Sequence, residues 1–270
     1  MNDKVVGQPI PLVAIGATLG TAIRLIRAEW KKLFFIMAMP LGLLALLGII
    51  LPANSAIDVE GITQISADRI TRNMTTLLVT AVVYPWVAAS VLRYFVLSEP
   101  PRGWLDAPIP HAMRYLWKIL LVMVVSSVAA APIILLSFLV GGTVGLTFGI
   151  LLGMLLASVV GIRIGLAVPA AALGGDAALK TSWARTRGQV MRIMTIKFLF
   201  SIMMLLPFLA LVLILMVVGM ASKPLALFLG AWLGGMIQYA AIHVIDAILY
   251  RHFYGDASSA AIMTAEIVDG

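Results

Sequence analysis

Four ionisable residues sit inside strongly apolar sequence, where a charge is costly and needs a partner or a task. They are Arg93 in AVVYPWVAASVLRYFVL, Arg163 in LLASVVGIRIGLAV, and His243 with Asp246 in YAAIHVIDAILY. Counted from the outer ends of their segments, Arg163 and Asp246 fall at similar depth, which predicts an intramembrane charge pair near one boundary of the bilayer. The alternative is that Arg93 and Arg163 snorkel to the headgroups, as arginines near helix ends do. His243 lies one helical turn before Asp246, within reach of its carboxylate. One acid and one histidine are a thin set for a proton relay.

Catalytic constellations are otherwise missing from the sequence. The three histidines, His111, His243 and His252, form no HExxH pair, and the chain has no cysteine, so a metal centre lacks ligands. There is no phosphate-cradling GxxxxGK[ST] loop and no GxSxG elbow. Paired carboxylates for acid and base work are absent as well. The expectation is a protein that is not an enzyme and carries no cofactor and no metal.

The elements that position these residues follow from composition. Of 270 residues, 62% are hydrophobic and 11% are charged, a balance that belongs to a polytopic membrane protein rather than a soluble domain. Six apolar stretches approach the roughly 20 residues needed to span the hydrocarbon core: about 33–52, 75–97, 119–140, 143–171, 197–219 and 225–249. The expected fold is all-α, with a flexible arm at 1–10, one transmembrane domain over 11–255 and a flexible tail at 256–270. The run starting at Leu33 is too long for the core of a signal peptide.

Charge placement sets the topology. With the amino terminus inside, 16 of the 19 Lys and Arg residues fall on one side and only Arg69, Arg72 and Lys223 on the other. By the positive-inside rule both termini are cytoplasmic and the chain is multi-pass, as in a bacterial inner membrane. The net charge of +7 is therefore mostly topological, and nucleic acid is not an expected partner. The one sizeable outer loop, ANSAIDVEGITQISADRITRN, is too short for a domain.

The cytoplasmic segments are amphipathic. In 11–32, Leu12, Ile15, Leu19, Ile23, Ile26 and Trp30 share one helical face, with Arg24, Arg27 and Lys31 on the other. This is the pattern of an interfacial helix whose basic face meets anionic headgroups; it also suits a solvated helix packed on the rest of the protein. A second basic face carries Arg185 and Arg192 opposite Leu179, Trp183, Val190 and Met194, and Asp176 is placed to cap that helix. Basic, tryptophan-bearing segments precede the first, third and fifth spans. They fit a threefold repeat of interfacial helix plus hairpin (11–99, 103–172, 176–250), and equally three unrelated loops.

Small residues recur every four positions at Gly141, Gly145, Gly149, Gly153, Ala157, Gly161 and Gly165. Such faces let helix backbones approach closely in lipid. A four-residue period drifts about 40° per step, so the stripe winds round its helix. That predicts a central fourth span touched by two neighbours, one of them the sixth span, whose own stripe is Ala226, Gly230 and Gly234. Pro40, Pro85, Pro132 and Pro207 lie well inside spans, either as breaks around a central site or as ordinary transmembrane prolines.

The stretch RIGLAVPAAALGGDAALKTSWARTRGQVMRI resembles the membrane domain of glycerophosphoryl diester phosphodiesterases and related six-span bacterial inner-membrane proteins. The positions that carry the likeness are Arg163, Pro169, Ala178, Leu179, Lys180, Ser182, Trp183, Thr186, Arg187 and Gly188. AILYRHFYGD is similar to that family's return to the cytoplasm. The resemblance implies a fold and little activity, because in those phosphodiesterases a separate soluble domain carries the chemistry. The expected function is a non-catalytic scaffold, accessory or regulatory component of the cell envelope that contacts membrane lipids, preferentially anionic, and a protein partner in the membrane. The alternative is a transporter or channel for a small or amphipathic molecule.

Overall fold

The computed structural model describes residues 11–50, 67–100, 109–175 and 178–268, with side chains described for all of these except 67–73, 221 and 256–268. The expected amino-terminal arm, most of the outer loop and Asp176 lie outside the described residues. Among the described residues every regular element is a helix: α1 (Ile15–Ile50), α2 (Ala67–Leu97), α3 (Ile109–Gly165), α4 (Ala167–Ala172), α5 (Leu179–Arg185), α6 (Val190–Ala221) and α7 (Lys223–Val268). Five of the helices are long and apolar enough to cross a membrane.

The 36 residues of α1 rise about 54 Å, well beyond the roughly 30 Å of a hydrocarbon core. Residues 15–32 are thus not a separate helix ahead of the first expected span; they run into it without a break. The reason is a single buried stripe, through Thr18, Ala22, Leu33, Met37, Pro40 and Ala45, that packs α1 along α7 and α2. Arg24, Arg27 and Lys31 remain exposed on its far side. The basic segment before the third expected span likewise runs directly into α3. Only the third such segment is broken, at Gly188 (φ 76°) between α5 and α6, so the three units are locally dissimilar.

Helix α3 is not a straight rod. Its 57 residues would extend about 85 Å, and at Gly142 the backbone leaves helical geometry (φ 56°, ψ −136°), a conformation open mainly to glycine. Beyond it the chain folds back on itself. A Cβ built on Gly145 would lie 2.0 Å from the Ser137 carbonyl oxygen, and one on Gly149 would lie 2.6 Å from Ser137 Cβ. A Cβ on Gly153 would meet Ile134, and one on Gly161 would approach Ser126 Oγ at 3.4 Å. The rising partner numbers paired with falling ones describe two antiparallel arms in close contact.

The glycine stripe is therefore spent within α3. The expected central fourth span is corrected on this point: Phe148, Leu151, Met154 and Leu155 of the second arm are exposed, and the arm is peripheral. Gly141 and Gly165 have no heavy atom within 4 Å of a Cβ, and Ala157 is half-buried. Gly230 and Gly234 face Leu215 and Phe208 of α6, not the stripe. The physical reason is chain connectivity, since a hairpin closes a short loop at small entropic cost and occupies the glycine face before a distant helix can.

The middle of the molecule belongs instead to the end of α2 and to α4. Val87, Ala89, Val91 and Leu92 are fully buried, and so are Ala167 and Ala172 of the small, wholly buried helix AVPAAA. That helix corrects the expected span end at 171. Burial also follows α7 through Val244, Ile245 and Leu249, and α7 continues as helix to Val268 where a flexible tail was expected. By contrast α6 keeps Leu206, Leu213, Met216, Val217 and Met220 exposed. A helix that is apolar all round and still uncovered suits lipid. The four prolines lie inside continuous helices, and none of them is the break point; Gly142 is.

Candidate functional site

Polar side chains collect at the end of the bundle where α2 and α3 finish, beside residues 250–254 of α7. Each helix end leaves carbonyl groups without intrahelical partners, and nearby side chains take them up. Ser182 donates its hydroxyl to the Arg163 carbonyl at 2.7 Å. Thr186 Oγ1 lies 3.1 Å from the same oxygen and 2.9 Å from the Ser182 carbonyl. Arg163 turns its guanidinium the other way, donating to the Trp183 carbonyl at 3.1 Å and lying 3.7 Å above the Trp183 ring. The end of α3 and all of α5 are thereby locked together.

The same segment holds the chain's amino-terminal approach. Gln189, buried, receives the Val13 amide at 2.9 Å and donates to the Pro11 carbonyl at 3.2 Å. Arg192 donates to the Val13 carbonyl at 3.2 Å, and His252 Nε2 lies 2.8 Å from the Pro11 oxygen. Arg185 bonds the Phe253 carbonyl and covers the Tyr254 ring at 4.2 Å. Arg185 and Arg192, expected to meet lipid headgroups, are half-buried and donate to backbone carbonyls of the protein. Arginine's fork of donors suits it to carbonyls at helix ends.

A third set closes α2. Ser98 adopts φ 56° and ends the helix, which returns Glu99 to the Arg93 guanidinium. Arg93 also approaches the Ala172 carbonyl at 3.5 Å, and Arg251 donates to the Val96 carbonyl at 3.3 Å. Arg93 is thus paired rather than snorkelling. On the opposite side, Tyr94 donates to Glu29 at 2.6 Å, and Glu29 also holds Lys32 at 2.9 Å.

The expected Arg163–Asp246 pair does not form. Asp246 accepts from Lys197 of α6 at 2.8 Å, because α6 and α7 are joined by a short turn and pack side by side, while Arg163 is engaged by Trp183. Nor does Asp246 hold His243, whose buried ring rests edge-on to Tyr115 (centroids 6.1 Å apart) and against Tyr239 (5.4 Å). Tyr239 in turn stacks on Tyr84 at 4.6 Å. Lys197 is the residue that counting depth overlooked. A usable signal was present, since Lys197 and Asp246 lie almost equally far from Ser222 on the two sides of the α6–α7 turn.

No family model, curated protein or solved structure matches this chain. The arrangement therefore has to be read from its own chemistry. Arg163, Ser182, Arg185, Thr186, Gln189 and Arg192 of the RIGLAVPAAALGGDAALKTSWARTRGQVMRI stretch are committed to carbonyls or rings of the protein itself, Lys180, Thr181 and Arg187 are exposed, and no group of three potential metal ligands occurs among the described residues. Three cations remain turned outward together, Arg24, Arg27 and Lys31 on α1. Exposed Trp30 lies among them, and exposed Phe34 and Phe35 follow one turn on.

Proposed function

We propose that this chain is a non-catalytic, multi-pass membrane protein that serves as a scaffold or accessory component of the envelope and gathers anionic lipid along α1. The observation that carries the reading is the exposed basic set of Arg24, Arg27 and Lys31, interleaved with exposed Trp30 and followed by exposed Phe34 and Phe35. Aromatic residues favour the headgroup level and basic residues next to it attract anionic lipid. About 1 kcal/mol per cation is the scale of that attraction.

The reversal at Gly142 and the close contact of the two α3 arms support counting α3 as two spans, for six in all. With six, the distribution of Lys and Arg supports cytoplasmic termini and a bacterial inner membrane. The resemblance of the Arg163 to Gly188 stretch to the membrane domain of glycerophosphoryl diester phosphodiesterases agrees with this layout and brings no hydrolase activity with it.

The test uses the full chain purified from its native membrane. Lipids retained by the wild type and by the triple variant Arg24→Gln, Arg27→Gln, Lys31→Gln are quantified. Enrichment of anionic lipid over the bulk membrane is expected for the wild type and its loss is expected for the variant. Equal anionic content in the two preparations overturns the reading.

A further inference from the structure

Helices α6 and α7 leave a groove beside the turn that joins them. It holds about 480 Å³, with Leu215 and Met216 of α6 on one wall and Leu227, Gly230 and Ala231 of α7 on the other. Lys223, the first residue of α7, stands at its mouth and is the one polar residue of the lining. The order is therefore a cation at the helix end and apolar surface for two turns beyond it. From Lys223 to Ala231 the helix rises about 12 Å, most of the roughly 15 Å that half a hydrocarbon core measures.

The mouth lies at the far end of the molecule from the α1 cations. Trp232 donates to the Ala38 carbonyl at 2.6 Å, and His252 Nε2 lies 2.8 Å from the Pro11 oxygen, so α1 and α7 run antiparallel. Lys223 thus sits towards the Ile50 end of α1, away from Arg24, Arg27 and Lys31. No described side chain compensates its charge. Glu29, Glu99 and Asp246 are the only carboxylates among the described side chains, and they hold Lys32, Arg93 and Lys197 at the other end of the bundle.

An anionic phosphate headgroup complements such a mouth. A zwitterionic one brings its own cation, for which the described residues there provide no carboxylate. A partner helix, about 10–12 Å across, would fill on the order of 1,000 Å³ over the same length, twice what the groove holds. An extended acyl chain is narrow enough to lie in it.

We propose that the α6–α7 groove seats an acyl chain of an anionic phospholipid of the phosphatidylglycerol class, drawn from the leaflet at the α6–α7 turn, with its phosphate on Lys223. The site is separate from the α1 cations and serves the opposite leaflet.

The test uses the full chain carrying Arg24→Gln, Arg27→Gln and Lys31→Gln, so that its outcome is independent of lipid held on α1. The protein in detergent is given equal amounts of phosphatidylglycerol and phosphatidylcholine, and bound lipid is counted by native mass spectrometry. Phosphatidylglycerol adducts are expected to exceed those of phosphatidylcholine. Lys223→Gln is expected to lower the ratio about fivefold, one cation's share of the attraction to anionic lipid, and Lys223→Arg to keep it. Ala231→Phe, at an exposed position on the groove wall, is expected to lower the ratio as far with Lys223 in place. Equal adducts in the parent chain, a ratio unchanged by Lys223→Gln, or a ratio unchanged in folded Ala231→Phe overturns the proposal. The chain has no cysteine, so oxidation of Ala231→Cys in native membranes tests a second copy as the occupant. No disulfide-linked dimer is expected, and its formation overturns the proposal.

Discussion

The Ser182 hydroxyl donates to the backbone carbonyl of Arg163 at 2.7 Å, so a side chain of α5 closes the last turn of α3. Ser182 is fully buried, and water cannot replace the bond. Ser182→Ala is expected to destabilise the folded protein by about 0.5–1.5 kcal/mol, the net worth of one hydrogen bond, because Thr186 Oγ1 stays within reach of the same carbonyl at 3.1 Å. Thr186→Ser, which keeps a hydroxyl, is expected to cost less than Thr186→Val. Thermal unfolding of the purified variants measures both.

The contact of Gly145 with the Ser137 carbonyl has a sharper consequence. A methyl group there meets backbone that cannot turn aside, so Gly145→Ala is expected to lower folded yield severely, beyond the roughly 1–3 kcal/mol of ordinary overpacking. Gly141→Ala and Gly165→Ala, with open space around them, are expected to be nearly neutral. Equal effects at Gly145 and Gly141 in a fluorescence-detected sizing assay count against the hairpin.

Charge swaps identify the partner of Asp246. Lys197→Asp and Asp246→Lys are each expected to lower folded yield and their combination to recover it. Because the pair is partly exposed, each loss should stay below the roughly 3–5 kcal/mol of a fully buried pair. Arg163→Asp with Asp246→Arg is expected to show no recovery, since Arg163 is held by Trp183.

Gln189 predicts a local effect. Gln189→Leu removes both bonds to residues 11–13 while keeping the side chain's bulk. Hydrogen exchange at the Val13 amide is expected to rise by at least about tenfold, as the loss of a net hydrogen bond of about 1 kcal/mol and its neighbour implies. Midpoint temperature should move little. Unchanged exchange at Val13 contradicts the anchoring role.

The absence of cysteine from the sequence makes topology directly measurable. Thr143→Cys, beside the α3 reversal, is expected to react with an impermeant maleimide added to the outside of intact cells, and Lys180→Cys only after lysis. The opposite labelling reverses the proposed orientation, and no outside labelling at position 143 argues against two spans in α3.

Much of the architecture was legible because bilayer solvation acts on composition. Runs such as Leu199 to Met220 have no polar face, and only lipid or a dry core rewards such a helix; the structure leaves that surface exposed. The Gly141-Gly142 pair was legible as small residues but not as a turn, because a glycine in lipid serves close packing and backbone reversal equally well. The amphipathic pattern of 11–32 pointed to an apolar face through Leu12, Ile15, Leu19, Ile23, Ile26 and Trp30, but the residues that the protein buries there are Val13, Thr18 and Ala22, while Leu12, Ile23 and Trp30 stay exposed. What covers a face, lipid or protein, is not a property of the segment.

The site was harder, for reasons of geometry. Counting residues placed Arg163 and Asp246 at one depth, but depth is a single coordinate, and Lys197 shares it. Which cation meets the carboxylate depends on which helix lies beside α7, and the short α6–α7 turn brings Lys197 there. Sequence alone determined the apolar segments long enough to cross a membrane, because these follow from transfer free energies summed along the chain. Only tertiary packing decided the partners of Arg163, Asp246, Arg185 and Gln189, because a hydrogen bond or ion pair requires an approach to about 3 Å between residues far apart in the chain.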